Sequence, residues 1–311
     1  MTVNKNIGFA ALFLLGLLAP VLIYPVLVMK VLCFALFACA FNLLLGYTGL
    51  LSFGHAAFFG LAAYAAGHAL KVWELPTLVG LVFGTVSAAA LGWLFGLLAI
   101  RRQGIYFAMI TLALAQMVFF FLMQSSFTGG EDGLQGVPRG TLFGLDLADD
   151  MTLYYVVFII CAAAFWLIYR TINSPFGQVL KAIRENEPRA ISLGYDVGRY
   201  KLLAFVLSAG LAGLAGATKM LVFTFASLTD AHWHMSGEVV LMTILGGMGT
   251  VLGPVVGAGV IVSLQSELAD KVGSLVTVIM GAIFVICVMA FRRGIVGEAM
   301  ALYRRMVGEK V

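Results

Sequence analysis

The sequence predicts an all-α integral membrane protein, a polytopic helical bundle of about ten transmembrane passes. Three observations predict it. Of the 311 residues, 62% are hydrophobic and only 11% charged, more apolar side chain than a soluble domain of this size can hide. The charges are also confined: 6–29, 75–100, 103–130, 151–169, 239–266 and 272–291 hold no Asp, Glu, Lys or Arg, and each reaches or approaches the roughly 20 helical residues that cross the hydrocarbon. None of these runs alternates apolar and polar over segments of about ten residues, as barrel strands would, so the spans are helices.

The elements follow in chain order. The first apolar run is longer than the roughly 7 to 15 residues of a signal-peptide core, and 7–28 reads as an uncleaved first helix. The charge-free stretch 31–70, at about 1.5 Å per residue, would make a helix twice the bilayer thickness. It must break, giving helices at 31–45 and 55–70. Further helices are expected at 76–100, 104–124, 152–169 and 202–222, then a short 238–246, 252–266 and 273–291.

Because Lys and Arg collect in cytoplasmic loops, their placement tests this topology. Starting inside, ten passes leave only Lys30, Lys71, Arg139, Lys219 and Lys271 outside and put the other 14 of 19 inside. Joining 238–266 into one pass would reduce the bias to 10 against 9, so a broken pair is preferred and both termini are expected in the cytoplasm. Two polar segments stand out. An acidic, glycine-rich loop at 125–151 is expected outside, and a basic segment at 170–201, long enough to touch a partner, is expected inside.

Non-helical backbone at membrane depth survives only where it lines a cavity or is buried in protein, so glycine-interrupted apolar segments in both halves point to a solute path. Two occur: Gly46-Tyr47-Thr48-Gly49-Leu50-Leu51-Ser52-Phe53-Gly54-His55 and Gly246-Gly247-Met248-Gly249-Thr250-Val251-Leu252-Gly253-Pro254. Asn42, Gly46, Tyr47, Gly49, Ser52, Gly54, His55, Gly246, Gly247, Gly249, Gly253 and Pro254 are therefore the expected path residues. The competing reading is that the glycines only let helices pack closely and that Asn42, Ser52 and His55 bond across helices.

Other chemistry is thin. His232 and His234 offer two ligands without a third, weak grounds for a metal, and read better with Trp233 as an interfacial anchor. Lys219 is expected to snorkel toward Asp230 or Glu238. Cys33, Cys39, Cys161 and Cys287 lie in apolar runs and read as packing. The net charge of +4 implies no nucleic acid. There is no G-x-S-x-G, H-E-x-x-H or Walker-type loop, so the chain is not expected to be an enzyme and holds no cofactor of its own.

Three stretches carry a family resemblance: 42–60, opening Asn42-Leu43-Leu44-Leu45-Gly46-Tyr47-Thr48-Gly49, then Gly104-Ile105-Tyr106-Phe107-Ala108-Met109, and Leu245-Gly246-Gly247-Met248-Gly249-Thr250-Val251-Leu252-Gly253-Pro254. From about residue 30 to 297 the chain resembles the LivM-type permeases of branched-chain amino acid ABC importers. The segment 182–194 is similar to the coupling segment of ABC permeases, which implies ATPase-docking roles for Arg184, Glu185, Glu187, Pro188, Ala190 and Gly194. Pro188 suits the first turn of a new helix and Gly194 its C-terminal cap.

The resemblance implies one permease domain over 1–311 with two pseudo-related halves, in a bacterial inner membrane. It implies four kinds of partner: a homologous second permease, two cytoplasmic ATPase subunits holding ATP and Mg, a periplasmic amino-acid-binding protein, and the lipid itself. Leucine, isoleucine and valine are its default solutes, with urea, short amides or aromatic acids as alternatives within the same architecture. An ion-coupled secondary transporter would need acids or histidines in the central spans, which are almost absent.

Overall fold

A computed structural model of the chain describes residues 16–20, 24–125, 128–142, 144–275, 278–279, 281–283, 285, 289 and 294–299. It is a helical membrane bundle. Parts of the expected first and last passes, both termini and Cys287 lie outside the described residues.

Helix α1 is Pro25–Thr48, α2 is His55–Lys71, α3 is Thr77–Ala99 and α4 is Ile105–Gln124. A two-stranded hairpin, β1 Thr141–Leu142 with β2 Leu145–Asp146, precedes α5, Asp150–Ile172. Next come α6 Pro175–Glu185, α7 Glu187–Ser192, α8 Val197–Phe223, α9 Leu228–Ala231, α10 Trp233–Gly246 and α11 Gly253–Val272. Among the described residues five helices, α1, α3, α4, α5 and α8, are long and apolar enough to cross a membrane, and 253–268 is a shorter apolar helix.

The structure corrects several expected boundaries. The break expected at 29–30 is absent: α1 starts at Pro25, where a proline's missing N–H and fixed φ suit the first turn, so Lys30 is helical. At its other end α1 continues through Gly46 and Tyr47 to Thr48, and only Gly49, at φ 76°, closes it. The first break is therefore 49–54. The second is 247–252, because α10 keeps Gly246 as its last residue and Gly253 and Pro254 already open α11. In both places the chain breaks where a residue leaves the helical region, not at the first glycine of the run. Helix α10 also begins at Trp233 rather than 238.

Helix α8 is the hub, packed most extensively against α3, α2 and α1. Small residues make this possible: Ala209 closes on Gly92 and Ala88 on Gly213, the close approach that membrane helices use in place of a hydrophobic driving force. Phe37, Phe41, Phe58, Phe59, Phe107 and Phe205 are fully buried around it. Leu78, Val82, Val86 and Trp93 of α3 and Ile105, Met109, Met117 and Phe120 of α4 face outward.

Contacts group the connecting segments into two ends, the same grouping that the charge bias predicts. At the end bearing 125–149, termed outer, Lys71 donates to the Gln135 carbonyl (2.6 Å), Thr77 to that of Arg139 (2.9 Å) and Arg139 to that of Val222 (2.9 Å), and Leu134 bridges Ala226. At the end bearing α6 and α7, termed inner, those short helices meet the close of α1 and the start of α8.

Candidate functional site: a seam between two glycine breaks

At the inner end the two breaks are stitched together by one side chain. The Asn42 carboxamide accepts from the Gly249 N–H (2.9 Å) and donates to the Thr250 carbonyl (2.9 Å). Both sides of a neutral amide are thus spent on the opposite loop's backbone, satisfying groups that lipid cannot. Gly46, one turn on from Asn42, must be glycine: an added Cβ would lie 2.2 Å from Asn42 Oδ1 and 2.7 Å from the Gly249 nitrogen.

Side-chain hydroxyls satisfy the rest of each break. Thr111 accepts from the Phe53 N–H (3.1 Å), Ser52 from Gly54 (3.1 Å) and Ser236 from Ala56 (2.9 Å), which satisfies the orphan donors before and at the start of α2. In the second break Thr250 Oγ1 donates to the Gly247 carbonyl (2.8 Å) and accepts from the Gly253 N–H (3.0 Å).

Arg184 reaches the seam from the last turn of α6. Its Nη1 donates to the Gly46 carbonyl, while its stem lies against Gly49 and its guanidinium against Gly249. The Lys181 ammonium sits 5.7 Å from the centre of the Tyr47 ring. One face of α6 is thereby fastened to the end of α1 and, through Arg184, to both breaks.

Of the expected path residues, Asn42, Gly46, Gly49, Gly247, Gly249 and Gly253 meet in or beside this seam. Ser52 and Gly54 serve the re-entrant backbone beside α4. Pro254 is in the first turn of α11. His55 lies apart: its Nε2 is 2.8 Å from Ser208 Oγ on α8, and Ser208 donates in turn to the Ala40 carbonyl (2.5 Å). Phe41, Phe58 and Phe205 surround the imidazole edge-on.

The coupling residues divide. Pro188 is in the first turn of α7 and Gly194, at φ 87°, follows its C-cap, as expected from their residue types. Glu187 turns inward to Lys201 at the start of α8 (2.7 Å, Lys201 buried), and Ala190 is buried with Ile183 and Val197. Glu185 and Pro188 are exposed, as are Ile191 and Leu193, at 57% and 68%. Sequence reasoning missed Ile191 and Leu193, although apolar residues on so short and polar a helix are a usable signal. It also missed Thr111, Ser208 and Ser236, single hydroxyls in apolar runs that nothing in the sequence distinguishes.

His232 packs on Phe119 and Trp233, and His234 lies 3.7 Å from Glu238. Among the described residues no three His, Cys, Asp or Glu side chains gather as metal ligands. Cys33, Cys39 and Cys161 are buried free thiols.

A family model described as branched-chain amino acid transport system / permease component matches residues 6–288. The chain belongs to this family. It is accordingly a multi-pass membrane permease and part of a multi-subunit ABC transporter. It is 28% identical over 296 residues to the high-affinity branched-chain amino acid transport system permease protein LivM of Salmonella typhimurium, and 27% to that of Escherichia coli, covering 83% of this chain and 68% of each relative. The autoinducer 2 import system permease protein LsrC of Salmonella typhi is 27% identical over 216 residues, 65% of this chain and 56% of that protein. A solved structure titled PsaBC from Streptococcus pneumoniae in complex with Fab covers 90% of this chain and 95% of that one at 15% identity, with a TM-score of 0.45.

Proposed function

We propose that this chain is the permease subunit through which an ATP-driven importer moves branched-chain amino acids across a bacterial inner membrane, with both termini and 170–201 cytoplasmic and 125–151 periplasmic. The observation that carries the reading is Arg184, which ties the coupling-like segment directly to both glycine breaks. Its partners are a homologous permease, two ATPase subunits that hold ATP and Mg, and a periplasmic binding protein docking on the outer end. The exposed apolar pair Ile191 and Leu193 is the surface offered to an ATPase groove.

In this mechanism the Asn42 seam is the inner gate in its closed position. ATPase closure displaces α7 and α6, Arg184 is drawn off the Gly46 carbonyl, and the two breaks part. Neutral amide bonds suit a gate because each contributes only about 1 kcal/mol net, so the seam opens without stranding a buried charge.

The test is uptake of labelled leucine by cells with and without this subunit, with ATP and the proton gradient removed separately. Loss on ATP depletion alone is expected. Loss with the gradient alone would overturn ATP coupling, and ATP-dependent uptake of a neutral solute such as autoinducer 2 in place of leucine would overturn the substrate.

A further inference from the structure

The outer half of the bundle holds a charge pair that neither packing nor the inner gate uses. Lys219 Nζ donates to both oxygens of Asp230, at 2.7 and 2.6 Å, and the two side chains are only 9% and 3% exposed. The expected snorkelling does not occur: Lys219 finds one of its expected partners, but inside the protein. Burying two ions in a membrane bundle is costly, and an apolar pair of similar volume would fill the same space. The pair therefore calls for a reason beyond stability.

The chain is bent to place it there. Helix α8 ends at Thr224 in the left-handed region, φ 59°, a conformation disfavoured for a β-branched residue. From there the segment turns back into the bundle. Asp230 and Ala231 sit on α9, and Ala231 presses so closely on Gly60 of α2 that a Cβ added there would lie 2.5 Å from that of Ala231. Asp230 is thus carried in from the outer edge to meet Lys219.

Two further features point to a ligand. The Tyr64 hydroxyl is fully buried and has no hydrogen-bond partner among the described residues. It stands one turn from Gly60, on which Ala231 presses, and a Cβ added at Gly133 would lie 3.3 Å from this hydroxyl and 2.5 Å from the Ala226 carbonyl, which sets it beside the segment that carries Asp230. An unmade hydrogen bond in such a place costs about 1 to 3 kcal/mol. Phe223 and Phe225 flank the ammonium, their ring centres 5.6 and 5.2 Å away, and Phe225 is 38% exposed, so one of the rings beside the ammonium is itself partly at the surface.

We infer that Lys219, Asp230 and Tyr64 form a transit site for the charged head of a zwitterionic α-amino acid. The inference rests on the proposed importer function and goes further, because it assigns the residues that recognise the charged head of that solute. The ligand's carboxylate takes Lys219 and accepts from Tyr64; its ammonium takes Asp230. Each buried ion exchanges one counter-ion for another and the net charge of the site is unchanged, so the pair opens without leaving either charge alone. A neutral polyol offers no such exchange, and a simple anion or cation would strand one partner. On α8 the next buried polar side chain on this face, Ser208, lies 11 residues nearer the inner end, about 20° round the helix at 100° per residue, which places the His55 and Ser208 pair next along the same line.

The test uses the complete importer in proteoliposomes, reading labelled leucine moved per ATP hydrolysed in wild type, in Lys219→Met/Asp230→Leu and in Tyr64→Phe. Wild-type leucine uptake is the control; its absence would overturn the substrate reading and this site together. With that control met, the double variant is expected to lose about tenfold in leucine per ATP, the scale of charge-assisted hydrogen bonds lost in transit. An unchanged ratio would overturn the transit site alone, since a merely structural pair tolerates apolar replacement. Should the double variant fail to assemble, Tyr64→Phe decides, because it removes a hydroxyl that has no partner among the described residues: a severalfold fall supports the site, and an unchanged ratio overturns it.

Discussion

The two ends of the bundle are held by different forces. At the inner end the breaks meet through a neutral carboxamide, backbone groups and Arg184, an exposed residue whose guanidinium reaches in to the Gly46 carbonyl. At the outer end Lys219 and Asp230 form a buried ion pair, and Arg139 spans Asp150 (2.8 Å) and the Val222 carbonyl. Neutral bonds are individually weak and leave nothing costly behind when they part, whereas a buried ion pair resists separation unless another ion takes its place. One end is built to open on a mechanical pull and the other only to a ligand of matching charge.

Substitutions can break or sharpen that contrast. The largest effect is expected from Lys219→Met alone, which strands the Asp230 carboxylate and costs about 3 to 5 kcal/mol; thermal melting of the detergent-purified complex should fall sharply and recover when Asp230→Leu is added. A tolerated single variant would mean that the outer end is not held by charge. Next comes Gly46→Ala, whose Cβ has no room beside Asn42 and Gly249. Overpacking of this kind costs about 1 to 3 kcal/mol, and because it wedges the seam apart, leucine uptake should fall more than the melting temperature does.

Asn42→Ala removes both hydrogen bonds between the breaks at a cost of about 1 to 3 kcal/mol. It should raise ATP hydrolysis in the absence of binding protein, while an unchanged basal rate would show that the seam is not a gate. Arg184→Ala is expected to change melting by under about 1 kcal/mol, as exposed charges do, yet to raise the ATP consumed per leucine severalfold. The smallest effect concerns Asp149, which caps α5. The Thr152 N–H, and then its hydroxyl, hold this carboxyl below the usual range. A depressed carboxyl stabilises the fold above its unfolded value of 3.8 and loses that contribution as pH falls through the folded value. Asp149→Asn, which keeps an acceptor, should flatten the acid limb of the melting profile.

Much of the fold is legible in composition and charge spacing, because lipid imposes one demand on every span: apolar side chains and internally satisfied backbone. The glycine-broken segments were visible for the same reason, and the short helix at Pro188 from the resemblance together with proline's place in a first turn and glycine's at a C-cap. Exact breakpoints were not, since Gly46 is a helical contact and Gly49 the turn, and two glycines three residues apart look alike until φ is known. Asp230 read as an outer-loop acid because the turn at Thr224, which brings it inward, has no signature in residue type. Glu187 has a docking role by resemblance alone, and its ion pair with Lys201, fourteen positions away, has no signature in spacing.

The sequence by itself determined that this is a polytopic helical membrane protein with two broken segments, because hydropathy, charge bias and glycine placement act locally along the chain; its motifs added the resemblance to a permease family and to a coupling segment. Only the tertiary structure decided that Asn42 closes one break on the other across more than two hundred residues, that Arg184 spans both, and that Lys219 and Asp230 meet in the interior. Those contacts depend on which helix faces lie together, and a pattern of apolar residues on nearly every face of a membrane helix leaves that choice to packing.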